Sequence, residues 1–467
     1  TALTEPSAGN FVMTLTSPNT TYSNFTAASS SAAGASGLVV APPAGAQGKF
    51  LRGDATWVSV PGGDITEIKV TAPITGAAAS GIATIGIDTM SAATASAAGT
   101  KGAVPASAAG DEAKFLRAKF YFDLVRLFGN VPLIDHTLGA SEYYTVEQVG
   151  PDQIYPLIIS DLEDAIAVLP SSVSSNQLGR VTKGAAQALL ARALLFENDE
   201  NNMSQVASLC ESVIQSGEYS LLTSFADLWT ADGEWSSESV FEITYSENSA
   251  SDWGSFGWGG GEGNVGVQFI GMRDYNGPTY ATGWGFCPVS TELEAAMDGD
   301  PRYGYTIIDA DALPGAEYTP GYQNTGFWMR KYAPIAANVA PDGDPALNWG
   351  NNIREIRYAD VLLMAAEAIV RSGGSEGTAR TYLNQVRDRV GLATLTSSGN
   401  QLLEDIYTER RLELATEGHR FFDLIRTGKA SEVLGDQGFV ASTHTYLPIP
   451  QQEIDAAPDV LTQNPGY

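Results

Sequence analysis

The chain has 467 residues, of which 43% are hydrophobic and 17% charged, enough for one large core or two to three domains. Its 26 Lys+Arg against 54 Asp+Glu give a formal charge of -28, and the resulting field repels polyanions and excludes nucleic acid as a partner. Apolar stretches such as "GAAQALLARALLF" are broken by arginine and fall short of the roughly 18 to 20 residues that span a bilayer.

Residues 1 to about 110 are dominated by Ala, Ser, Gly and Thr and offer little apolar area to bury. The segment 31–52 aligns without gaps on 96–117, with 13 identities in 22 positions, and both copies close on "KFLR". Between the copies, "GDITEIKVTAPITG" and "GIATIGIDTM" alternate β-branched and polar residues and predict short strands. This low-complexity arm resembles the repeated segments of phage tail-fibre proteins. Nothing at Thr1 has the basic and apolar regions of an export signal, so the expectation is that any such signal was removed or lies outside this numbering.

From Glu112 the pattern becomes helical. Leu116, Phe120, Leu124 and Leu127 form one stripe and Phe115, Phe122 and Val125 an adjacent one, which predicts a largely buried helix stopped by Gly129 and Pro132. Further helices are predicted at 152–169, 182–198, 203–216, 353–372, 375–390, 402–416 and 418–427. Closely spaced alanines in several of them let paired helices approach as in tetratricopeptide-like stacks. The expected fold is therefore mainly α. A helical scaffold over 111–219 and 350–467 carries a loop-rich excursion over 220–349, which contains seven of the eight tryptophans.

Several segments in this span resemble one family when taken in order. They are "AKFLRAKFYFDLVRLFGNVPLI", "GRVTKGAAQALLARALLF", "PVSTELEAAMDGDPRYGYTI", "TGFWMRKYAP", "IREIRYADVLLMAAEAIVRSG", "YTERRLELATEGHRFFDLIRTG" and the closing "YLPIPQQEIDAAPDVLTQNPGY". Over about 115–467 the chain is similar to the SusD/RagB outer-membrane glycan-binding lipoproteins. The resemblance implies a protein on the outer face of the outer membrane that binds oligosaccharides or polysaccharides without cleaving them. It also implies a SusC-like TonB-dependent transporter as partner and an anchor on an acylated N-terminal cysteine. The Ala/Ser/Gly arm departs from that pattern, and the anchoring cysteine does not occur in this sequence.

A glycan site needs flat rings to meet sugar C–H faces and polar groups at the rim for the hydroxyls. The excursion supplies both: Trp253, Trp258, Tyr275, Tyr280 and Trp284 among glycines, with Asn264, Arg273, Asp274 and Asn276 as hydrogen-bonding candidates. Trp229, Trp328 and Trp349 are expected to be structural. "GEGNVG" (261–266) fits a dinucleotide fingerprint, but no βαβ unit is expected around it. Glu292 and Glu294 lie two apart and point to different helix faces, unlike the facing carboxylates of a glycosidase.

No cofactor is expected. Asp342, Asp344 and Asn348 could hold calcium but lack EF-hand spacing, which favours an ordinary turn. Cys210 and Cys287 have no CxxC spacing. The echo of "FDLVR" (122–126) in "FDLIR" (422–426) is what packed, ion-paired helices require. Two alternatives stay open at this point, a fibre-like adhesin defined by the N-terminal repeats and a glycoside hydrolase.

Overall fold

The structure, a computed structural model, describes residues 106–467 apart from 255–260 and 316, with side chains from residue 110, and six short strands before them. Two compact units divide the chain, Thr1–Ala103 and Val104–Tyr467. In the first, three antiparallel pairs are described: β1 (Ala2–Leu3) with β2 (Met13–Thr14), β3 (Lys49–Leu51) with β4 (Trp57–Ser59), and β5 (Ile74–Thr75) with β6 (Gly86–Ile87). The first "KFLR" thus begins in a hairpin strand, whereas the second, Lys114 to Arg117, lies inside helix α1 (Ala106–Phe128). Local sequence is the same and the partners decide the conformation.

The second unit is mainly helical. After α1 come the short pair β7 (Val131–Pro132) and β8 (Gln148–Val149), then α2 (Pro151–Val168), α3 (Lys183–Glu197) and α4 (Met203–Gln215). The excursion contains β9 (Ser239–Ile243), three short helices, α5 (Val265–Ile270), α6 (Thr291–Ala296) and α7 (Tyr303–Thr306), and the hairpin of β10 (Ile307–Asp309) with β11 (Phe327–Met329). The chain rejoins the scaffold through β12 (Ile353–Arg357), α8 (Tyr358–Arg371), α9 (Glu376–Arg389), α10 (Gly399–Glu413), α11 (Arg420–Arg426), α12 (Ala430–Leu434), α13 (Ala441–His444) and α14 (Gln451–Ala456).

One predicted helix is corrected at its start. Residues 353–357, expected as the first turns of a helix over 353–372, form a strand that pairs with β9, with its register shifted between Arg354 and Ile356 and again at Arg357. The strand ties the excursion's first extended segment to the scaffold.

Helices α1 and α2, α3 and α4, and α8 and α9 pack as neighbouring pairs, and α4 packs on α8 to join them. The alanines explain the closeness: Ala185, Ala186, Ala188, Ala191 and Ala193 of α3 and Ala359, Ala365, Ala366 and Ala368 of α8 are all fully buried.

Helix α1 departs from expectation. Phe115, Phe122 and Val125 enter the core, but Leu116, Phe120 and Leu124 of the other predicted stripe are 41%, 58% and 39% exposed. The helix is apolar over a wide arc, and its described neighbours cover only one side of it.

The two "FDL" echoes meet in space. The Arg126 guanidinium lies 4.7 Å from the Phe122 ring and 4.2 Å from the Phe422 ring, with Phe196 in edge contact with both rings. Each motif also holds its own ion pair three residues apart, Asp123–Arg126 and Asp423–Arg426. Both cysteines are free, and Cys210 is buried in the helical core.

Buried charge fastens the excursion to the scaffold. Arg357 of β12 bonds Glu238, Glu413 and Glu417; Arg389 bonds Glu238 and Glu413; Arg302 bonds Asp300, Glu409 and Glu413; and Lys331 reaches Glu417. Arg387 closes the network on Glu409 at 2.7 Å. Glu238, Arg302 and Lys331 come from the excursion, and Glu409 and Glu413 from α10. A side of the Trp229 ring faces Lys331 at 4.7 Å and Arg357 at 5.4 Å.

Candidate functional site

The site is built on a short helix and the segment that returns beside it. Asn264 caps α5: its side chain accepts from the Gly266 N–H at 3.0 Å and donates to the Asn351 carbonyl at 2.8 Å. Within α5, Val267 and Gln268 turn inward, with Gln268 bonding the Thr282 carbonyl and the Trp349 indole N–H. Phe269 is left facing solvent, 40% exposed.

Residues 283–286 then run alongside through four backbone bonds. The N–H groups of Gly283, Trp284, Gly285 and Phe286 donate to the carbonyls of Met272, Gln268, Gly271 and Phe269 at 2.7 to 3.0 Å. Glycine is required here. A Cβ on Gly283 would stand 2.3 Å from the Gly271 Cα, and Gly285 adopts φ +71°.

This pairing sets Trp284 and Phe286 beside Phe269. The ring centroids are 4.9 Å apart for Phe269–Trp284, 5.7 Å for Phe269–Phe286 and 6.0 Å for Trp284–Phe286. Trp253 stacks on Trp284 at 6.1 Å with an interplanar angle of 28°. Trp253 and Phe286 are 53% and 57% exposed, and Trp284 is half-buried between them. The result is a continuous ridge of four rings, two of which the sequence reading selected.

Other selected residues lie elsewhere. Tyr275 and Tyr280 are buried, 8% and 7% exposed, and pack with Met272, Ile308 and Trp328 in a small core beneath the hairpin. Their rings fill the excursion's own interior and present no surface to a sugar. Asn264 is also buried and spent on its cap.

Arg273, Asp274 and Asn276 are exposed. The Arg273 Nε donates to the Trp284 carbonyl at 3.2 Å, which places a guanidinium at the ridge. Asp274 sits in the left-handed region at φ 52°, and Asn276 exchanges backbone bonds with Glu317. Trp258 lies outside the described residues. Phe269 and Phe286 were missed because the sequence reading chose only tryptophans and tyrosines as platform rings, and the orientation of α5 and the paired segment 283–286 turns both phenylalanines outward.

Trp328 and Trp349 are each 1% exposed. "GEGNVG" runs into the start of α5, but that helix has six residues, and among the described residues no strand leads directly into the motif. Asp344 caps a short turn, and the fully buried Asn348 is spent on Ser251 and Asp344. Glu292 is exposed on α6, its carboxyl held below the usual range by its own backbone N–H and Ser290. A separate cleft of about 780 Å³ is lined by Trp229, Tyr305, Arg330, Asn338 and Asn351.

Chemically, the ridge offers flat apolar faces with an arginine and short polar side chains beside them. It suits a ligand with both C–H faces and hydroxyls.

Residues 300–438 match the model of the SusD family, and residues 105–195 match a model described as starch-binding, associating with outer membrane. A SusD-like protein P2 of Formosa agariphila is 29% identical over 388 residues, covering 77% of this chain and 74% of the relative. A solved structure described as a laminarin binding SusD-like protein is 42% identical with a TM-score of 0.71, over 76% of this chain and 78% of the other. Surface glycan-binding protein A from Bacteroides thetaiotaomicron, solved in complex with laminarihexaose, is 37% identical with a TM-score of 0.69, over 77% and 78%.

Proposed function

The chain belongs to the SusD family, and on that premise we propose that it binds oligosaccharides at the cell surface and passes them on without cleaving them. The observation that carries this reading is the ridge of Trp253, Phe269, Trp284 and Phe286, four rings in contact with two of them more than half exposed. An uncovered aromatic surface costs free energy in water unless a ligand covers it.

Laminarin is the first glycan to test, because two similar structures are described by laminarin or laminarihexaose binding. The receiving partner in this proposal is a SusC-like TonB-dependent transporter. The position at the outer membrane draws support from the starch-binding, outer-membrane-associating description of the model matched at 105–195. Among the described residues no helix is long and apolar enough to cross a membrane.

If three rings each cover one sugar face, the gross gain is about 3–6 kcal/mol. Ordering costs reduce it, so Kd falls in roughly the millimolar to high-micromolar range. Weak binding suits a protein that must release its cargo.

Calorimetric titration of the full chain with laminarihexaose tests this. Trp253→Ala and Phe286→Ala should each weaken binding several-fold with little change in Tm, because both rings are largely exposed. Tyr322→Ala, 87% exposed and outside the ridge, should leave affinity unchanged. Unaltered affinity in both ridge variants would remove the ridge as the binding face. Release of reducing ends from laminarin or starch would overturn the non-catalytic reading.

A further inference from the structure

We propose that the notch between α10 and α11 binds a small oxyanion, the carboxylate or sulfate group of an acidic saccharide. The notch has a volume of about 110 Å³ and is lined by Arg411 and Thr408 of α10, Arg420 and Asp423 of α11, and Lys429 with its partner Glu404. That is room for about three or four waters, the scale of one charged substituent.

Unpaired positive charge sets this notch apart. With 26 cationic against 54 acidic side chains in the chain, a lysine or arginine readily finds a carboxylate. Arg420 is the one Lys or Arg among the described residues that is partly shielded from solvent and makes no hydrogen bond or ion pair. Its neighbour Arg411 has only a neutral partner, the Glu292 carbonyl, at 3.0 Å.

The two carboxylates of the notch are already committed. Asp423 is bonded by Arg410 and Arg426, and Glu404 by Lys429. Two guanidinium groups therefore line one notch, and neither is ion-paired to either of its carboxylates. Burial, followed by the Arg411 charge, holds the Arg420 guanidinium below its ordinary value although the Asp423 charge opposes this, so the nearby carboxylate does not offset burial and the second cation.

Guanidinium pairs bind oxyanions through paired N–H donors of fixed geometry. The hydroxyls of Thr408 and Thr427 donate to the Glu404 and Asp423 carbonyls, which leaves the arginines as the donors. That the oxyanion is carried by a saccharide rests on the proposed function; the oxyanion site itself does not.

The test is calorimetric titration of the full chain with sodium sulfate, D-glucuronate, galactose 6-sulfate and glucose at constant ionic strength. Sulfate and at least one acidic sugar should bind, and glucose should give no binding that depends on Arg420. Arg420→Gln should weaken sulfate binding by roughly tenfold or more and Arg411→Gln by several-fold. Lys183→Gln, an exposed cation elsewhere, should change nothing.

Equal sulfate binding by the wild type and both arginine variants overturns the site. Binding of sulfate without either acidic sugar overturns the saccharide assignment. Laminarihexaose should bind Arg420→Gln as it binds the wild type, and sulfate should bind Trp253→Ala as it binds the wild type, which keeps the two proposals apart: a wild-type chain that binds sulfate but not laminarihexaose refutes the ridge alone.

Discussion

Glu413 is the residue on which most of the fastening between the excursion and the scaffold converges. It is fully buried and bonds Arg302 at 2.9 Å, Arg357 at 2.9 Å and Arg389 at 2.5 Å. These three cations hold its carboxyl well below the usual range against the opposing effect of burial. The connected network comprises five cations, Arg302, Lys331, Arg357, Arg387 and Arg389, and five carboxylates, Glu238, Asp300, Glu409, Glu413 and Glu417. Glu413→Gln keeps the shape and leaves one buried positive charge uncompensated. Breaking a buried network in this way costs about 3–5 kcal/mol, because the partners stay desolvated. With an unfolding entropy of about 2.1 cal/mol/K per residue over a unit of roughly 360 residues, Tm should fall by about 4–7 °C. Urea and thermal melts followed by circular dichroism measure it. The double variant Glu413→Gln/Arg389→Gln removes one charge of each sign and should be less destabilised than the sum of the single changes. A Glu413→Gln protein within about 0.5 kcal/mol of wild type, or strict additivity in the cycle, would refute the view that this network holds the excursion.

Two further outcomes follow from single residues. Burial, and then the charge of Arg192, lowers the pKa of His419 to about 4, with Arg410 adding to this and Asp360 and Glu417 opposing it. The unfolded chain takes up a proton near its ordinary value of about 6.5 that the folded chain refuses. Stability should therefore decline by about 2 kcal/mol as pH falls from about 6.5 to 4, and urea midpoints should show His419→Gln flattening that slope; an identical slope would refute it. Gly283→Ala places a Cβ 2.3 Å from the Gly271 Cα, so it should cost about 1–3 kcal/mol and weaken laminarihexaose binding by displacing Trp284 and Phe286. Gly304→Ala, with nothing among the described residues within 4 Å of the added carbon, is the neutral control, and equal behaviour of the two variants in melts and titrations would contradict the proposed backbone pairing.

How far the sequence carries can be judged from particular elements. Helices α2, α3, α4, α9 and α11 lie within a residue or two of their expected spans, because each has a strong apolar period and most have stop signals at their ends. Residues 353–357 failed because "IREIR" also fits a helical face, and only pairing with Ser239–Ile243 selects the strand. The exposure of Leu116, Phe120 and Leu124 was invisible for a related reason: periodicity identifies an apolar face but not whether a neighbour covers it. The ion-pair network left one trace in the sequence, the four-residue spacing of Glu409, Glu413 and Glu417. Its cationic partners lie up to 111 residues away from these glutamates in the chain.

The site shows the same boundary in sharper form. Composition alone marked the Gly- and Trp-rich stretch as the place where rings could stand uncovered, and Trp253 and Trp284 are indeed in contact there. Composition cannot separate a tyrosine that plugs a local core from a phenylalanine that faces water, since burial opposes the chemical preference of both. What separates them is backbone geometry. The Gly271–Gly283 approach and the bond from the Phe286 N–H to the Phe269 carbonyl turn two phenylalanines outward, while the β10–β11 hairpin helps close over Tyr275 and Tyr280. The ridge is thus a property of how three glycines let two segments meet, and its binding strength should track that approach more closely than the number of aromatic residues in the loop.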